Sequence, residues 1–92
     1  MIYVTAVRLS SGGTRPSHIT DLRWRESGST KASEWSRAQM VKWIDTGGIA
    51  KVHNAYGIDP IVRTVHPTYG EPYVQTKPDN TPTDNLLSLP RF

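Results

Sequence analysis

The pattern of apolar and polar positions changes period along the chain, and each change predicts an element. Residues 2–9, IYVTAVRL, are rich in β-branched and aromatic types and predict a first strand. The cluster SSGGTRPS that follows is a loop by its glycine, serine and proline content. HITDLRWR then returns to a strand pattern. Leu22 and Trp24 fall on one of its faces, and Asp21, Arg23 and Arg25 on the other, because strand side chains alternate. That division implies a half-buried antiparallel strand, paired with the first across the glycine loop.

ESGSTKAS reads as a polar connection, after which the period becomes helical. In WSRAQMVKWIDTGG, Ser36 is an N-cap, and Gln39 three residues on completes a capping box. Trp35 and Met40 have the spacing of a hydrophobic staple. Met40, Val41, Trp43 and Ile44 form a stripe about 160° wide, and Gly47 supplies the stop. The expected helix covers roughly residues 37–46.

Three short strands are expected next, in AKVHNAY, PIVRTVH and PYVQTK, with Pro60, Pro67 and Pro72 at their edges. KPDNTPTDN is a turn-rich loop. In the tail, TDNLLSLPRF, Asp84 is placed to cap a single helical turn that Pro90 ends. Burial of leucine or phenylalanine is worth roughly 1.5–3 kcal/mol per side chain, and a small domain needs such groups in its core. The tail is therefore expected to dock as a lid, with a docking motif for another chain or a homodimer seam as the alternative. The whole reads as one α+β domain, residues 1–92. Its small, twisted, mostly antiparallel sheet has about five strands in the order ββ-α-βββ, with one helix packed on it and the C-terminal tail docked.

Composition narrows the chemistry. With no cysteine, disulfides, thiolate nucleophiles and cysteine zinc sites are excluded, and a cytoplasmic location is the default expectation. No apolar run approaches the ~20 residues of a membrane span, and MIYVTAVRLS lacks the regions of a signal peptide. A formal net charge of +3 permits an anionic partner without requiring one.

The tail segment PYVQTKPDNTPTDNLLSLPRF resembles the C-terminal signature of the bacterial domain-of-unknown-function family 3892, in which an extended segment runs through a turn into DNLLxLP. The first strand, HITDLRW and the helix SRAQMVKWI are similar to that family too, so the resemblance spans nearly the whole chain. It implies a small stand-alone bacterial domain, for which a bacterial chromosome and a phage genome are both plausible sources. No activity, ligand or catalytic residue comes with it. The SSGGTRPS loop and the proline-rich HPTYGEPY turn depart from the family pattern, and such loops are where a specific activity would sit.

Among candidate sites, SSGGTRPSH ranks first. Gly12 and Gly13 let backbone amides converge on an anion, with Ser11, Thr14, Arg15 and His18 as further donors. It has neither Walker nor dinucleotide spacing. Arg23 and Arg25 share a strand face. Trp24 lies behind them rather than beside them, which ranks nucleic-acid binding lower, since stacking needs the aromatic next to the cations. Tyr56, Tyr69 and Tyr73 fall near strand ends, either lining a pocket for a planar ligand or capping the sheet. His18, His53 and His66 lack metal-motif spacing, and no catalytic set is recognisable. The expectation is a non-enzymatic binding module without metal or cofactor. Its ligand would be an anionic, nucleotide-like small molecule held by Gly12, Gly13, Thr14, Arg15, His18, Arg23, Arg25 and Tyr73, with a homodimer as one way to build the pocket. A protein-interaction domain using the tail or a sheet edge, and a nucleic-acid-binding domain, are the alternatives.

Overall fold

A computed structural model describes residues 1–55, 57–76 and 85–92. Six strands form one sheet: β1 (Ile2–Leu9), β2 (Ile19–Glu26), β3 (Ala32–Ser36), β4 (Ala50–Lys51), β5 (Ile61–Val65) and β6 (Tyr73–Thr76). Their order is β3-β2-β1-β4-β5-β6, and every pair is antiparallel except β1 with β4. One helix, α1 (Arg37–Asp45), packs against β2, β3, β5 and β6. The α+β architecture is as the sequence predicts, with one strand more than expected. β3 lies in the stretch around Ala32, Ser33 and Glu34, which carries almost no strand signal; it forms because the turn at Gly28, with φ of +83°, folds it back onto β2 in register. The fourth strand is shorter than AKVHNAY suggested and stops at Lys51.

The inner face of the sheet buries Val4, Val7, Leu22, Val62 and Val74 beneath α1 and the tail. Strict alternation cannot put both Val4 and Val7 inside. A bulge between Val4 and Ala6 resets the register, so both reach the core, while Ala6, itself buried, and the exposed Arg8 fall on the opposite face with Arg23 and Asp21. Trp24, Trp35 and Trp43 pack in series, with ring centroids 4.4 Å and 5.8 Å apart, and tie β2 and β3 to the helix.

Both predicted ends of α1 are present. The Ser36 hydroxyl accepts from the Gln39 amide, and the Gln39 side chain accepts from the Ser36 amide. At the other end the Gly48 amide donates to the Trp43 carbonyl and the Gly47 amide to that of Ile44, the paired bonds of a Schellman motif with Gly47 at φ of +105°.

The tail docks. A short 3-10 turn, Asn85–Ser88, packs against β1 and β6 and buries Leu86 completely, with Leu87 and Leu89 against the core edge. Beyond it the chain pairs in parallel with β1: the Val7 amide donates to the Pro90 carbonyl and the Phe92 amide to the Val7 carbonyl. The tail thus fills the edge of β1 that the two-residue β4 leaves open, which satisfies backbone groups as well as covering apolar surface. The expected cap at Asp84 lies outside the described residues, as do Tyr56 and the turn-rich loop through residues 77–83.

Candidate functional site

The face of the sheet away from α1 is built by register. Tyr3 on β1 stands opposite Arg25 on β2 and Lys51 on β4, and Lys51 stands opposite Ile61 on β5. Alternation adds Arg23 beside Arg25 and Arg63 beside Ile61, and the tail adds Phe92 over β1. The Arg8 and Arg23 guanidinium carbons lie 4.6 Å and 4.5 Å from the Phe92 ring centroid, and that of Arg25 lies 5.0 Å from the Tyr3 ring. Arg8 Nε also donates to the Phe92 carbonyl at 3.0 Å. Aromatic rings therefore stand beside the cations. The ranking that placed nucleic-acid binding lower rested on Trp24, which is indeed behind them, packed on Trp35.

Three carboxylates near this face already have donors. Glu34 is 3.5 Å from Arg23, and Asp21 accepts from the Thr20 hydroxyl at 2.9 Å. Asp59 accepts from the Asn54 amide at 2.8 Å and from the Tyr3 hydroxyl at 3.1 Å. The Asn54 amide bond, with the Tyr3 hydroxyl and the nearby His53 and Lys51 charges, holds the Asp59 carboxyl below its ordinary range against some desolvation. Reciprocally, the hydrogen bond to Asp59 raises the Tyr3 phenol.

The predicted site residues fall into three groups. Gly12, Gly13, Thr14, Arg15 and His18 stay together in the β1–β2 loop. The amides of Thr14 and Arg15 do converge, on the His18 Nδ1 at 2.9 Å and 3.2 Å. Gly13 donates to Ser10 and sits so close to His18 that a Cβ there would come within 2.7 Å of the histidine Cβ. The nest is thus filled by the chain's own imidazole. Arg23 and Arg25 lie on the outer face. Tyr73 is half-buried on β6 opposite Val65, and Tyr69 is fully out in solvent.

A second polar cluster escaped the sequence reading. His66 Nε2 lies 2.9 Å from Asp45 Oδ2, and the Thr64 hydroxyl donates to Asp45 Oδ1 at 2.7 Å, beside a cavity of about 530 Å³ between α1 and the β5–β6 turn. Thr64 and His66 keep the Asp45 carboxyl below its usual range, the threonine bond contributing most. The carboxylate stands between hydroxyl and imidazole, so the hydroxyl does not face the histidine as a nucleophile faces its base. The arrangement is a clasp from the end of the helix to β5. Among the described residues no three histidine, aspartate or glutamate side chains gather as metal ligands, and no helix is long and apolar enough to cross a membrane.

Tyr3 was within reach of sequence reasoning, since a β1–β2 hairpin puts the first strand's outward residues against Arg23 and Arg25. Phe92 was not: only the register of the tail on Val7 brings it there. No curated protein and no solved structure matches the chain. Residues 3–90 match the profile of a family described as protein of unknown function (DUF3892), and the chain belongs to that family.

Proposed function

We propose that the domain is a non-enzymatic binding module for an anionic, nucleotide-like ligand, held on the outer face of the sheet rather than in the glycine loop. The observation that carries this reading is the set of three arginines laid over aromatic rings: Arg8 and Arg23 on Phe92, and Arg25 on Tyr3. A guanidinium held over a ring loses less side-chain freedom when its N–H groups engage a phosphate. Its free face also offers a plane on which a base can stack. The glycine loop contributes less, because two of its converging amides already serve His18.

A thermal-shift screen of the whole chain against mononucleotides, inorganic phosphate and short oligonucleotides tests this. Ligand at 100 times its dissociation constant stabilises the native state by about 2.7 kcal/mol, several degrees for a domain of this size. We expect a shift with nucleotides that Arg23→Ala removes and Arg15→Ala retains. A shift removed by Arg15→Ala alone would return the site to the loop, and a flat screen would refute the reading.

A further inference from the structure

We propose that the ligand of the outer face is a single-stranded nucleic acid lying across the strands from β2 to β5, an inference that rests on the anion-binding reading above. Its ground is how the cations are spaced. Arg25, Tyr3, Lys51 and Ile61 are directly opposed across four neighbouring strands, and so make one row perpendicular to them. Adjacent strands are about 4.8 Å apart, so the row covers roughly 14 Å. It carries positive charge at β2 and β4, and Arg63 extends it at β5. A mononucleotide would engage one end of such a row; a chain of phosphates engages all of it.

The chemistry of the surface favours unpaired bases. Tyr3, Phe92 and the guanidinium planes over them give flat partners to bases whose faces are free, whereas paired bases in a duplex stack on one another. Nor, among the described residues, does the face present an element to enter a groove, since α1 packs on the other side of the sheet. The exposed Ile61 adds apolar surface in the same row, at 51% exposure. Glu34 and Asp21 have an ion-pair or hydrogen-bond donor of their own, and Asp59, which accepts from the Tyr3 hydroxyl and the Asn54 amide, is the carboxylate within the row, so the phosphate path runs past it along Arg25, Lys51 and Arg63. Arg63 has no ion-pair partner among the described residues, and its charge is available to a phosphate.

Fluorescence anisotropy with the intact chain and labelled oligothymidine and oligouridine of increasing length decides the matter. Affinity should rise from the mononucleotide to oligomers of about four nucleotides or more, and the single strand should outcompete a duplex of the same length. With four phosphates neutralised, the slope of log K against log salt is about −2.8, so affinity should fall ~50-fold between 50 and 200 mM salt. Lys51→Ala and Arg63→Ala should each flatten that slope by about 0.7; both residues lie on the surface, and circular dichroism checks that the variants remain folded. Comparison of the two sugars shows whether DNA or RNA is preferred. Mononucleotides that bind as tightly as oligomers, or duplexes that bind as tightly as single strands, would overturn this proposal and leave the anion-binding reading standing. If neither mononucleotide nor oligomer binds, both fall.

Discussion

Arg23 shows how much one side chain does here: its guanidinium rests on the Phe92 ring and reaches Glu34 from the same position. The ion pair is exposed and contributes little to stability. Arg23→Ala should therefore leave the melting temperature within a few degrees of the wild type while it removes nucleotide binding, as calorimetry and the thermal-shift screen would show. Gly48 is the opposite case. A Cβ there would come within 2.3–2.5 Å of three Trp43 ring atoms, and the atoms in the way belong to a packed indole. We expect Gly48→Ala to lower the melting temperature by 4–8 °C or more, the size of a loss of about 1 kcal/mol or greater, and a melt that is unchanged would show that Trp43 has room to move. Protonation gives a third residue-scale test. The carboxyls of Asp45 and Asp59 are held below their ordinary values, so each stabilises the fold above pH ~4 and that contribution fades as the pH falls through the lowered value. Urea melts between pH 7 and pH 3 should show stability dropping in acid, and Asp45→Asn should make the drop shallower; an identical pH profile for the variant would remove Asp45 from the account.

The elements differ in how openly the sequence announces them. α1 is legible because its capping box, apolar stripe and glycine stop are local signals that agree with one another. Ser36→Ala removes the cap and should cost about 1 kcal/mol, measurable by denaturant melts; no change would mean that packing alone fixes the helix start. β1 and β2 are legible for a similar reason, since hydrophobic alternation and the glycine loop set their pairing. β3 is not, because Ala32, Ser33 and Ser36 have low strand propensity and are held by pairing with β2. The tail was legible in part. Its leucines require burial wherever they land, but the parallel contact of residues 90–92 with Val7 depends on a gap left by the short β4, and no local pattern encodes it. Leu86→Ala should cost about 2–5 kcal/mol. A fully folded Leu86→Ala domain of unchanged stability would show that the tail is an appendage rather than core.

At the scale of the molecule, the fold divides its labour between two faces. The inner face carries the aliphatic core, α1 and the tryptophan series, and the outer face carries Arg8, Arg23, Arg25, Lys51 and Arg63 with Tyr3 and Phe92. A formal charge of +3 over 92 residues is unremarkable as a total, and its meaning lies in how the sheet arranges it. That is also why the candidate site was only half legible: Arg23 and Arg25 could be put on one face from alternation, but their aromatic neighbours come from the hairpin register and from the far end of the chain. The glycine loop had the composition of an anion nest, and its converging amides proved to serve a histidine four residues on. The most direct test of the whole account is an amide-resolved NMR titration of the intact domain with short oligothymidine. Shift changes should concentrate at Tyr3, Arg8, Arg23, Arg25, Lys51, Arg63 and Phe92, with the α1 amides still. Changes confined to residues 11–18 or to the cavity beside His66, or none at saturating oligomer, would contradict it.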